Sequence, residues 1–391
     1  QTVTPESVLS DDQQRVFIIG GSASYGFPYR YGDTFAGQLQ QRLGHRDYRV
    51  LNASRVGWTS GELAPLVDQA VRFYRPQVIV LFTGNNEWFH WRPVDTQQPA
   101  GQQAPRREKM SQASVDTLKF LAHSRCLSAI EHVLVKWHVS RQQARQDESR
   151  QQESRDRFEA HHELTGVRYS VEMPLDPGQY DPAQWEATRQ RYLDTLEANL
   201  ERMIRTAQQQ DVRVLLLNVP FKYRLSPAWK HRQPMSFDPA EQQAVQRSVQ
   251  KTLAELDQEK YEAALEEVES ALTRDPLPAV LHYLKGECLV GLERPVEAEA
   301  AFAQSRECMI GNLGSRLSVN RVIDRVAERT GATLVDVREM FDAYGHARQR
   351  YFNIDLIHDD CHPTPLGHQL IAEKLVPLIL KSGMGNGGEP Q

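Results

Sequence analysis

The 391-residue sequence predicts an α/β protein: a three-layer α/β/α sandwich with a parallel five-stranded sheet and an inserted α-helical segment. Three observations carry this reading. Five short runs are almost wholly apolar, as strands covered on both faces must be. Stretches with apolar residues three and four apart lie between the runs, so strand and helix alternate. The fourth and fifth runs are held apart by a long stretch with helical spacing of its own.

Arg15 to Gly20 (RVFIIG) reads as the first strand, ending in Gly20-Gly21-Ser22. Asp33 to Leu43 is a helix, with Phe35, Leu39 and Leu43 four apart. Tyr48 to Ala53 is the second strand and Ser60 to Tyr74 the second helix, broken by Arg75-Pro76. Gln77 to Thr83 (QVIVLFT) is the third strand. Residues 91–110 are then rich in Pro, Gln and Arg, and 111–139 read as one amphipathic helix. Arg141 to Asp156 is nearly all polar, either a solvated helix with pairs such as Glu153–Arg157 or a loop.

The alternation resumes with a long helix whose Trp185, Tyr192, Leu196, Leu200, Met203 and Ala207 share one face. Val212 to Val219 is the fourth strand. A helix at Ser315 to Arg329, a strand at Ala332 to Val337 and a helix at Pro365 to Leu380 complete a flavodoxin-like sandwich.

Between strands four and five, Tyr261-Glu262-Ala263-Ala264-Leu265, Ala271-Leu272 and Asp275-Pro276 resemble the second helix and stop of a tetratricopeptide unit. Tyr283, Gly286, Gly291-Leu292, Ala298 and Phe302 follow at nearly the spacing of the next unit. Small residues let paired helices approach and large ones fill the groove. The expected division is therefore 1–238, first part of the sandwich; 239–308, helical insert; and 309–391, second part. Such helical pairs bind proteins or peptides, so residues 239–308 are the expected surface for a protein partner. The insert is expected to be separable from any chemistry.

Bulk properties narrow the class. The net charge is −5, with 40% hydrophobic and 25% charged residues, and no basic block suggests a nucleic-acid partner. Runs such as Val78 to Phe82 are too short to span a bilayer. The chain starts at Gln1 rather than Met, which leaves room for a signal peptide or membrane anchor before it. Cys126, Cys288, Cys308 and Cys361 lack metal-type spacing and read as unpaired thiols. No metal or cofactor is called for.

Four patches fall just past strand carboxyl ends, where open parallel sheets hold ligands, or just before the last helix. They are Gly20-Gly21-Ser22-Ala23-Ser24, Asn52-Ala53-Ser54-Arg55-Val56-Gly57, Gly84-Asn85-Asn86-Glu87 and Asp359-Asp360-Cys361-His362-Pro363. A serine hydroxyl needs a base, which His362 can be, and Asp359 three residues earlier can hold the imidazole tautomer. The backbone N–H groups of Ser22 and Gly57 and the amide of Asn86 can face a developing oxyanion. Ser24 is the rival nucleophile.

In this order the patches resemble the blocks of the SGNH (GDSL-like) hydrolase superfamily, with Ser22, Gly57, Asn86 and His362 in the four eponymous places. The resemblance covers residues 15–90 and about 310–380. It implies a serine esterase or, with the same residues, an O-acyltransferase. A periplasmic or otherwise extracytoplasmic acylated glycan is the expected substrate. A binding protein without turnover is the competing class. Three departures stand out: Gly-Gly-Ser replaces Gly-Asp-Ser, Asn86-Glu87 replaces Asn-Asp, and Trp58 follows Gly57. Tyr25, Trp58, Trp88 and Phe89 could wall the site.

Overall fold

The computed structural model describes residues 13–87, 182–225, 239–309 and 315–380. The expectations for residues 91–180, together with Trp88, Phe89 and Cys126, lie outside them.

Five parallel strands form one sheet in the order β2-β1-β3-β4-β5. They are β1 (Gln14–Gly20), β2 (Tyr48–Asn52), β3 (Val78–Phe82), β4 (Arg213–Leu217) and β5 (Thr333–Val335). Every residue of β3 is buried, because helices cover both faces and no polar alternation is needed. On one face α2 (Phe35–Leu43) packs against the C-terminal α11 (Pro365–Leu380). On the other, α3 (Ser60–Gln69) packs on α4 (Pro182–Gln208), which packs on α9 (Leu317–Thr330). The main core runs through both interfaces, from Val16, Ile18 and Phe35 to Leu196, Leu200, Ile323 and Ile371. A short helix α1 (Ser22–Tyr25) starts directly at the end of β1.

Several boundaries shift for physical reasons. The second helix leaves α geometry at Ala70, continues as a π turn to Tyr74, and stops where Arg75 takes φ +43° before Pro76. The fifth strand is three residues rather than six, because Asp336 turns the chain and caps a new helix by accepting the Glu339 N–H at 2.8 Å. The sequence does not mark that helix, α10 (Val337–His346), because its start is merged with the apolar end of the strand.

Residues 239–308 form α5 (Pro239–Leu256), α6 (Tyr261–Arg274), α7 (Ala279–Gly291) and α8 (Pro295–Cys308), each packed on the next. Close approach depends on small residues. A Cβ on Gly286 would stand 2.4 Å from the Phe302 ring, and one on Gly291 would stand 2.2 Å from Tyr261. The helices also grip the sandwich. Glu299 accepts from the Phe352 N–H at 2.9 Å and meets His346 at 2.7 Å, while Arg224 forks onto Glu287. Among the described residues no helix is long and apolar enough to cross a membrane.

Candidate active site

The carboxyl end of β1 must turn within a confined space. A Cβ on Gly20 would lie 2.0 Å from the Phe82 carbonyl oxygen of the neighbouring strand, so this position takes glycine and brings the chain close to β3. The turn delivers Ser22 as the first residue of α1, buried but reachable from the last loop of the sandwich.

That loop is a closed turn. The His358 N–H donates to the His362 carbonyl at 2.8 Å, and Ile357 bridges Pro363. Asp359 Oδ1 accepts the N–H groups of Cys361 at 3.1 Å and His362 at 3.0 Å, the local advantage of a carboxylate three residues before the imidazole. Asp359 Oδ2 meets His362 Nδ1 at 2.7 Å, and His362 Nε2 meets Ser22 Oγ at 2.7 Å. The three side chains therefore form one continuous hydrogen-bonded chain across 340 residues of sequence.

Electrostatics fix the direction of that chain. Burial alone would raise the Asp359 carboxyl. The His362 side chain, through its hydrogen bond and charge, and the two backbone donors outweigh burial and hold it well below the usual carboxylate range. An ionised Asp359 can only accept, so Nδ1 carries the imidazole proton and Nε2 is left to accept from the Ser22 hydroxyl. The Phe27 and His362 rings meet edge to face with centroids 5.3 Å apart, a wall that the sequence did not single out.

Ser24 is placed differently. It is fully buried and its hydroxyl is bonded to Ser54 at 2.9 Å, away from the imidazole. Ser22, not Ser24, faces His362.

The other oxyanion candidates, Gly57 and Asn86, lie in the loops after β2 and β3. Gly57 takes φ +79°, and a Cβ there would meet nothing within 4 Å, so its backbone borders open space. Asn86 is buried and donates from Nδ2 to the Trp58 carbonyl at 2.9 Å, which ties the third patch to the second. A second tie comes from Glu87. Its carboxylate accepts both the N–H of Ser60 at 2.8 Å and the Ser60 hydroxyl at 3.0 Å. Burial pushes the Glu87 carboxyl up to about 7 despite these bonds. Thr59 and Glu62 add a capping box, so the start of α3, just after the Gly57 loop, is held by two carboxyl side chains.

The chain is similar to solved structures. A lipase/acylhydrolase from Enterococcus faecalis is 11% identical over 97% of this chain and 100% of its own, with a TM-score of 0.38. The acetyl xylan esterase AlAXEase is 12% identical over 93% and 99%, also at 0.38. A GDSL-like lipase from Bacteroides thetaiotaomicron is 11% identical over 94% and 89%, again at 0.38. No family model and no curated protein matches the chain. The chemistry of the site rests on its own geometry.

Asp359, Asp360, Cys361 and His362 could in principle hold a metal, since their ligand atoms lie within 4.8 Å of one another. Two are already committed to each other, and burial, with the charges of Asp360 and Asp359, raises the Cys361 thiol well above its usual value. A protonated thiol and an engaged imidazole make a poor ligand set. Cys288, Cys308 and Cys361 are buried free thiols.

Lys222, in the loop after β4, also belongs to the neighbourhood. Burial lowers its pKa and the charge of Asp359 raises it, with burial prevailing. No local motif marks Lys222, and only the fold brings it near the last loop.

Proposed function

We propose that this chain is a serine ester hydrolase of the SGNH kind, acting through an acyl-enzyme on Ser22. The observation that carries the reading is the unbroken Ser22–His362–Asp359 chain, 2.7 Å at each link. His362 Nε2 takes the Ser22 proton as the hydroxyl attacks an ester carbonyl, and returns it to the leaving alcohol. Asp359 holds the tautomer and stabilises the imidazolium. The N–H groups of Ser22 and Gly57 and the Asn86 amide are the proposed donors to the tetrahedral oxyanion. Water then deacylates the serine with His362 again as base.

The finer reading is an O-acyl group on an envelope glycan outside the cytoplasm. It is supported by the family resemblance and by Tyr25, which lies three residues past Ser22, is half exposed and can offer a ring face to a sugar. A sugar hydroxyl in place of water would turn the same residues to acyl transfer. Free acetate as the product of an acetylated glycan marks hydrolysis; acetyl recovered on an acceptor sugar marks transfer.

The deciding test is Ser22→Ala. It should abolish labelling by a fluorophosphonate probe and lower turnover of a small aryl acetate by roughly 10⁴ to 10⁶. A folded Ser22→Ala protein that keeps both would refute the assignment.

A further inference from the structure

The sequence predicts a helical segment before α9 that stands apart from the site, yet its last helix reaches the loop that carries His362. Arg306, two residues before the end of α8, is among the largest fully buried side chains of the protein. Its guanidinium donates from Nε to the Ser315 carbonyl at 2.8 Å, from Nη2 to the Asp360 carbonyl at 3.1 Å, and from Nη1 to the Lys222 carbonyl at 3.4 Å. The Phe221 ring lies 5.1 Å from its central carbon. One planar cation thus joins the segment leading into α9, the loop after β4 and the turn that holds Asp359 and His362. The Lys222 N–H reinforces the last link by donating to the same Asp360 oxygen at 3.3 Å.

The neighbouring Glu307 wedges the end of α8 in place. It pairs with Arg189 of α4 at 2.5 Å and accepts the Ser318 N–H of α9 at 3.2 Å. Arg316 donates back to the Glu307 and Met309 carbonyls. A guanidinium holds its charge and its fork geometry, whereas water or an ammonium would hold three carbonyls less rigidly.

We propose that Arg306 is a positioning residue for the Asp359–His362 turn, so that the helical segment is part of the catalytic unit. The proposal rests on the serine hydrolase reading for its activity readout only. Displacing α8, by mutation or by a partner on the segment, then changes turnover without touching substrate. A cut at residues 239–308 removes Arg306 and Glu307 together, and is not neutral for a small ester.

The test uses the full chain with Arg306→Met and Arg306→Lys. It measures kcat and KM on a small aryl acetate, thermal stability, and the low-field Nδ1–H resonance of His362 in protein labelled at histidine. Expected for Arg306→Met is a kcat about 10- to 100-fold lower with KM within about twofold, the scale of a catalytic group displaced by an ångström. Its imidazole resonance should shift or broaden, and Arg306→Lys should recover part of both losses. A folded Arg306→Met protein with wild-type kcat and an unchanged resonance overturns the proposal. If Arg306→Met does not fold, Arg306→Lys decides, and wild-type values there overturn it equally. If the unaltered protein neither turns over the ester nor takes a fluorophosphonate label, the hydrolase reading fails. The resonance, which needs no turnover, then still decides whether Arg306 sets the His362–Asp359 geometry.

Discussion

A Cβ built on Gly21 would stand 2.6 Å from Asn86 Nδ2, so the residue before the candidate nucleophile and the proposed oxyanion amide compete for one space. The backbone of Gly21 is extended, at φ −82° and ψ −157°, which any residue can adopt. The glycine is therefore explained by the close amide and not by backbone strain. Gly21→Ala should push the Asn86 amide off the Trp58 carbonyl while the fold holds. Turnover of a small ester should fall about 10- to 100-fold, less than or equal to the loss of one oxyanion donor. Fluorophosphonate labelling of Ser22 should slow but persist. Unchanged kcat in Gly21→Ala would remove Asn86 from the oxyanion assignment.

Ser24→Ala is expected to behave oppositely to Ser22→Ala. It removes the hydroxyl bonded to Ser54 and leaves that buried partner short of a bond, which costs about 1–3 kcal/mol of stability. Labelling and kcat should stay within about twofold of wild type. Chemical denaturation and a labelling time course separate the two losses, and a Ser24→Ala protein with intact stability but no label would reverse the choice of nucleophile.

Much of this arrangement was legible because it is local in sequence. Asp359 and His362 are bound by one turn, and Ser22 follows a run whose apolar character alone places it at a strand end. The helices from Tyr261 to Cys308 show in their Ala and Gly spacing. What stayed hidden depends on contacts far apart in the chain. Arg306 and Lys222 sit in ordinary helical and loop text, and only the packing of α8 brings them to the Asp360 carbonyl. Phe27 is likewise unremarkable until the fold sets its ring against His362. Helix α10 was missed because Val335-Asp336-Val337 reads as strand until the Asp336 cap is seen.

Glu87 makes stability depend on pH. In the unfolded chain its carboxyl ionises near 4.5, and in the folded protein burial raises this to about 7. Between these values the folded state keeps a proton that the unfolded state has released. Stability therefore falls as pH rises from about 4.5 to about 7 and is level above that, a loss of up to about 3 kcal/mol. Gln at this position keeps an acceptor for the Ser60 N–H and cannot ionise. Glu87→Gln should be more stable than wild type at pH 8 and indistinguishable near pH 4. Urea denaturation at the two pH values checks this, and equal stability at pH 8 would show that Glu87 carries no such cost.

His368 produces the opposite slope. Its ring is fully buried, stacked on Phe35 with centroids 5.9 Å apart and edge-on to Tyr29 at 6.2 Å, and neither ring nitrogen has a hydrogen-bond partner among the described residues. Burial, helped by the charge of His362, lowers its pKa from 6.5 to about 3. Below about pH 6.5 the unfolded chain binds a proton that the folded protein refuses. Stability is thus complete above pH 6.5 and is lost as pH falls toward 3, by up to about 4 kcal/mol. His368→Phe removes both the proton linkage and two unsatisfied nitrogens, each of which costs about 1–3 kcal/mol when buried. The larger ring must be fitted beside Phe35, at a cost of about 1–3 kcal/mol in a packed core. The relief of the two nitrogens offsets the packing cost at pH 7, so the variant should match or exceed wild type there. At pH 5 it should be clearly the more stable, with kcat unchanged because His368 touches neither Ser22 nor Asp359. Denaturant midpoints at pH 5 and 7 read the difference. If His368→Phe loses as much stability on acidification as wild type, the acid limb belongs to other groups and the buried imidazole is not its source.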